Sequence, residues 1–137
     1  MPVTFLLEEN HCIMLWRISD PWTLPELTAY YKDAQYILDH AEQPVHSLVD
    51  LQQARRMPAG VLKARYTSTW NHPRSGFTVV AGGTPLMSRM LELVFKMTRF
   101  ERVKLFPDEA EARAFLNTLV NNQDTNADSA DQSAPSV

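Results

Sequence analysis

The residues best suited to chemistry lie between Val45 and Leu62, in the run VHSLVDLQQARRMPAGVL. Asp50 stands near the end of an apolar stretch, Val45 to Leu51, and a short loop with Arg55 and Arg56 follows. Pro58 and Gly60 then open an amphipathic stretch that carries Lys63 and Arg65. Arginines suit bidentate contact with carboxylate or phosphate. A carboxylate such as Asp50 can serve as a general base only with a reacting group in reach. The segment has no Cys, and its one hydroxyl, Ser47, and one histidine, His46, lie back within the apolar stretch. With no nucleophile–base–orienter set, no catalytic residue is assigned and an enzyme is not expected. The chemistry that remains is recognition. Asp50, Arg55, Arg56, Met57, Pro58, Ala59, Gly60 and Lys63 would form an electrostatic docking site for an acidic protein partner. The simpler alternative is a solvated helix face whose arginines pair with Asp50 or with the acidic end of the chain.

A second candidate is the run Gly82-Gly83-Thr84-Pro85. Backbone N–H groups at a helix start can hold an anion, but Pro85 removes one donor, and neither a GxGxxG nor a P-loop pattern is present. A tight turn followed by a helix cap accounts for these residues. If the turn lies on the same sheet edge as Asp50, then Asp50, Gly82, Gly83, Thr84 and Met87 would line a crevice for a small ligand. His11, His40, His46 and His72 are scattered, and none has a second ligand at the spacing of a zinc site. They read as turn or surface residues, and no metal or cofactor is expected. Cys12, the single cysteine, excludes an internal disulfide and reads as a core thiol.

These residues need elements to hold them. Val3 to Glu8 reads as a first strand, Glu9-Asn10-His11 as a hairpin turn, and Cys12 to Ile18 as a strand buried on both faces. A short connection makes those strands antiparallel neighbours. Thr23, with Glu26 three residues on, forms a capping box; the helix it opens runs through Leu27, Tyr30, Tyr31, Ala34, Ile37 and Leu38 to Ala41. Trp22, just before it, suits a hydrophobic staple. Val45 to Leu51 is a third strand, Pro58 to Trp70 a second helix, and Gly76 to Ala81 a fourth strand. Thr84 caps a third helix that Pro85 begins. This helix is apolar on more than one side: Leu86, Met90, Leu93 and Met97 are expected to face the sheet, and Met87, Leu91, Val94 and Phe95 to cover another face. Such a helix is either deeply buried or an interface, and a homodimer through it is one expectation. Arg102 to Phe106 is a fifth strand, and Asp108 caps a fourth helix with Ala112, Phe115, Leu116, Leu119 and Val120 on its buried side.

The order ββαβαβαβα predicts an α/β domain: a single mixed sheet of about five strands, with an N-terminal antiparallel hairpin and then helices alternating with parallel strands. Its 137 residues, 45% of them apolar, suffice for one core. The domain spans residues 1–120. Residues 121–137 carry no aromatic and no basic residue and read as a disordered, acidic and polar tail. The longest apolar stretch is broken by Arg89, Glu92 and Lys96, so no membrane insertion is expected. The amino end shows no leader pattern, which places the chain in the cytoplasm as an expectation. The net charge of −3 hides a segregation. Residues 1–54 have two basic and eight acidic residues, residues 55–104 ten and two, and residues 105–137 one and six. An anionic partner or internal complementarity follows from such asymmetry. Nucleic acid is disfavoured, since the basic stretch has no aromatic–basic platform or recognition motif.

The element order and the segment after the third strand resemble the STAS domain superfamily, in particular proteins described as SpoIIAA-like. That family's anti-sigma factor antagonists have a strand ending in Asp-Leu, a loop, and a helix opened by Asp-Ser-Ser-Gly-Leu. Here the strand end is Val49-Asp50-Leu51 and the helix opening is Met57-Pro58-Ala59-Gly60-Val61. Gly60 and Val61 match the motif's glycine and apolar follower, whereas its acid and both hydroxyls have no counterpart. The resemblance spans residues 3–120 and implies a SpoIIAA/STAS-like fold. It also implies a non-enzymatic regulatory or scaffold domain that docks a protein through this loop and helix. The family's phospho-serine switch cannot operate at Pro58 or Ala59. STAS/SEC14-type relatives imply the alternative, a small-ligand or lipid-binding domain with its crevice at the carboxyl ends of the third and fourth strands.

Overall fold

The computed structural model describes residues 2–57, 72–99 and 101–133. The elements are β1 (Val3–Leu7), β2 (Ile13–Ser19), α1 (Leu24–Thr28), α2 (Tyr31–Asp39), β3 (Val45–Gln53), β4 (Ser75–Gly82), α3 (Pro85–Thr98), β5 (Val103–Phe106) and α4 (Glu109–Ser133). The helix expected over Pro58 to Trp70, with Pro58, Ala59, Gly60 and Lys63, lies outside the described residues. The protein is α/β. Its five-stranded mixed sheet has the order β1-β2-β3-β4-β5, antiparallel at β1–β2 and parallel elsewhere.

Strand alternation sorts the core into two sides. Met14, Trp16 and Ile18 of β2, with Val45 and Leu51 of β3, pack beneath α1, α2 and α3, against Leu27, Ala34, Leu38 and Met87. Ile13 and Leu15, with Leu48, Val79 and Ala81, pack against Ala112, Phe115 and Leu116 of α4 on the other side. β2 is therefore buried on both faces, as its near-continuous apolar run requires. Arg17 is its exposed exception.

The local signals appear where their chemistry demands them. His11 takes a positive φ of 58° in the hairpin turn, where the Asn10 side chain accepts from the Cys12 amide. The Thr23, Thr84 and Asp108 side chains accept from the amides of Glu26, Met87 and Glu111, each meeting a helix-start N–H that has no partner within the helix. Trp22 and Leu27 share one apolar cluster, the positions a staple would join.

Three expectations differ from the structure. The helix from Thr23 to Ala41 divides at Ala29–Tyr30 into α1 and α2. Tyr30, at the break, packs its ring against Phe5 and donates its hydroxyl to the Val3 carbonyl at 3.2 Å. The faces of α3 are exchanged: Met87, Val94 and Phe95 are buried, while Leu86 is 68% exposed and Leu93 and Met97 are each 49% exposed. A helix apolar on two sides has no preferred phase of its own. Here the turn through Gly82 and Gly83 and the Thr84 cap set it, bringing Met87 beneath the sheet with Leu51 and Val80. Finally, α4 does not stop near Asn122 but remains helical to Ser133. No glycine or proline interrupts residues 109–133, so the packed first turns propagate without a stop signal.

Candidate functional site

In a sheet of this kind the carboxyl ends of the parallel strands are the usual place for ligands and partners. Asp50 lies there, but it is 5% exposed. Its parity along β3 is that of Leu48, which turns it toward α4. The Gln52 amide donates to one carboxylate oxygen at 3.0 Å, and Nη1 of Arg17, opposite in register, donates to the other at 3.3 Å. The second Arg17 nitrogen reaches Glu109 at 3.1 Å, and Arg113 lies 3.7 Å from the same carboxylate. Arg113 also forks onto both oxygens of Glu8, at 3.0 and 3.2 Å. Hydrogen bonding to Glu8 holds the Arg113 guanidinium above its ordinary pKa. The Gln52 side chain accepts from the Glu109 amide at 3.0 Å and so satisfies a free N–H of the α4 start. The chain Asp50–Arg17–Glu109–Arg113–Glu8 locks α4 to the sheet. Asp50 therefore cannot meet a partner directly, and it pairs with Arg17 rather than with Arg55 or Arg56. The parity of Asp50 with buried Leu48, and the lone Arg17 on an apolar strand, were the available sequence signals for this network.

The loop after β3 has the opposite character: its backbone is pinned and its charges face outward. Ala54 is buried, its amide bonded to the Leu51 carbonyl. The Arg55 amide donates to the Asp20 carboxylate at 2.7 Å, and the Trp22 indole N–H donates to the Arg56 carbonyl at 2.9 Å. Met57 packs against the core cluster that holds Trp22 and Leu51. Both arginine side chains are exposed, and among the described residues neither makes an ion pair. Trp22, read as a helix staple, thus also fixes the loop.

The proposed crevice residues share an end of the sheet but not a face. Asp50 faces α4, whereas Met87 is buried with Leu51 and Val80 on the other side. Thr84 spends its hydroxyl on the Met87 amide, so that N–H is not offered to an anion. Gly82 and Gly83 take φ of 81° and 92°, conformations that favour glycine. A Cβ on Gly82 would also strike the Gln52 backbone at 2.9 Å.

His46 is not a surface residue: it is buried, and its Nδ1 accepts from the Phe77 amide at 2.9 Å. Its ring occupies the space a Cβ on Gly76 would need. Nε2 of His72 lies 2.8 Å from an Asp39 oxygen; that hydrogen bond, followed by one from Gln35, holds the Asp39 carboxyl below the usual carboxylate range. Among the described residues, no group of three or more His, Cys, Asp or Glu is placed to hold a metal ion, and no helix is long and apolar enough to cross a membrane. A scan of protein-family models, a search of curated proteins and a search of solved structures each returned no match for this chain.

Proposed function

We propose that this protein is a non-enzymatic docking domain of STAS type, which binds an acidic protein partner through the loop after β3. The observation that carries the reading is the loop itself. Its backbone is held from inside by Asp20 and Trp22, while the Arg55 and Arg56 side chains are exposed and form no ion pair among the described residues. A loop already fixed in shape loses little conformational freedom on binding, and exposed guanidinium groups suit bidentate capture of carboxylates. The charge pattern agrees, since residues 55–104 hold most of the basic side chains. Pro58 and Ala59 leave the helix start without a hydroxyl to phosphorylate, so the docking would be constitutive at that place.

The test is partner capture from the native host, comparing the parent chain with Arg55→Glu/Arg56→Glu. A stoichiometric protein held by the parent and lost from the double variant supports the reading, provided both chains melt alike. Equal capture by both chains refutes it. A copurifying lipid or nucleotide in native mass spectra, with no protein partner, would replace it with the ligand-binding alternative.

A further inference from the structure

Helical spacing divides α3 into three strips. Met87, Val94 and Phe95 are buried on the side of the sheet. Arg89, Glu92 and Lys96 stand opposite them, all exposed, and form the outward crest of the helix. Leu86, Leu93 and Met97 lie between crest and core, on one shoulder, and are exposed as well. Arg99 closes the helix and is also exposed. Among the described residues, none of Arg89, Lys96 and Arg99 forms an ion pair.

The start of this helix abuts the loop that carries Arg55 and Arg56. Gly82, two residues before Thr84, backs onto the Gln52 backbone, and a Cβ on Gly83 would meet the Leu51 and Met87 side chains at 3.8 Å. Met57, next after Arg56, packs into the cluster that also holds Met87 and Leu91. Positive charge therefore continues from the loop onto the helix: Arg55 and Arg56 at its start, Arg89 and Lys96 along its crest, Arg99 at its end. Glu92 is the one acid in the helix sequence.

We infer that the acidic partner presents an amphipathic helix, which lies along α3 with apolar side chains on Leu86, Leu93 and Met97 and carboxylates on Arg89 and Lys96; this rests on the docking reading at Arg55 and Arg56. An apolar row and a basic row run side by side at helical spacing. A helix whose apolar positions are flanked by Asp or Glu repeats both rows at the same spacing, and its grooves accept the ridge that Leu86, Leu93 and Met97 make. Exposed ion pairs contribute little each, so the apolar row supplies affinity and the cations set orientation and partner choice. The crest disfavours a membrane: a flat bilayer resting on α3 would meet Arg89, Glu92 and Lys96 before the apolar shoulder, whereas a cylinder fits beside the crest. It also disfavours a second copy, whose α3 would set its own cations near Arg89 and Lys96.

The probe is a synthetic helical peptide with Leu at the a and d positions of its heptads and Glu at e and g, where the glutamates keep it from pairing with itself. It is titrated into the isotope-labelled full chain and followed by NMR, beside a peptide of the same residues shuffled to remove the helical period. The expected result is saturable binding with shift changes at Leu86, Leu93, Met97 and the Arg55–Arg56 loop. Arg89→Glu/Lys96→Glu and Leu93→Ser should each weaken it by about tenfold or more, with unchanged circular dichroism. Should Leu93→Ser not fold, the charge reversals on the exposed crest decide. No saturable binding, equal binding of the shuffled peptide, or indifference to the crest reversals overturns the inference. So does α3-dependent binding to phosphatidylcholine vesicles containing phosphatidylglycerol when the peptide does not bind. Shift changes confined to Arg55, Arg56 and Met57 overturn it too, but leave the docking reading standing. Binding lost in the α3 variants yet indifferent to Arg55→Glu/Arg56→Glu would support the helix surface and refute the loop.

Discussion

Arg17 and Asp50 stand opposite each other across the β2–β3 pair, and guanidinium meets carboxylate at 3.3 Å. The Asp50 side chain is 7% exposed and that of Arg17 50%, so a buried acid is neutralised by a cation still in contact with water. Through Glu109 the same arginine clamps the first turn of α4 to the sheet.

Arg17→Ala should lower the unfolding free energy by about 1–3 kcal/mol, because it leaves Asp50 buried with the Gln52 amide as donor. The half-exposure of Arg17 keeps this below the loss of about 3–5 kcal/mol typical when a fully buried pair is broken. Asp50→Asn in that background should cost little more, since the amide removes the orphaned charge. Urea unfolding of both single variants and the double variant measures the coupling; strictly additive losses would refute the clamp.

The two apolar sides of α3 should respond unequally to truncation. Met87→Ala removes a buried side chain from beneath the sheet and should cost about 2–5 kcal/mol. Leu93→Ala acts on a half-exposed residue and should cost under about 1 kcal/mol. Thermal melts of the two variants check the phase of the helix, and equal losses would contradict it.

Gly76 and His46 should behave as one unit. Gly76→Ala forces a Cβ into the imidazole ring and should destabilise by about 1–3 kcal/mol through overpacking. With His46→Ala present, the ring is gone and the added methyl meets an opened space. The double variant should then be more stable than the sum of the single losses requires, as read from chemical denaturation; simple additivity would mean that the ring is not the obstacle.

Asp39 gives the fold an acid-sensitive element. Hydrogen bonding from His72 and then Gln35 holds its carboxyl below the ordinary carboxylate range. A carboxyl depressed in the folded state stabilises fully above its unfolded pKa, and that contribution is lost as pH falls through the lower folded value. Asp39→Asn should therefore lower stability above about pH 4, where the depressed carboxylate contributes, and flatten the fall on the acid side, the two chains converging once the folded-state carboxyl is protonated. Urea midpoints across the acid range provide the measurement, and an acid limb as steep as the parent's would remove Asp39 from the account.

Local chemistry made much of the fold legible. The caps at Thr23, Thr84 and Asp108, the Asn10 turn, the buried run of β2 and the apolar side of α4 each depend on residues within a few positions of one another. The exposed Arg55–Arg56 loop at a strand end was legible for the same reason, from an apolar run giving way to charge.

Sequence by itself determined the α/β class, the order of the elements outside residues 58–71 and the strand end that presents Arg55 and Arg56, because strand alternation, helical period and capping are short-range. Only the tertiary structure decided that Asp50 belongs to Arg17, 33 residues away, that His46 is buried against Gly76, and that α3 turns Met87 rather than Leu93 inward. These relationships depend on strand register and on which layer covers which face of the sheet. Period and propensity carry no record of either, since both follow from packing between segments distant along the chain.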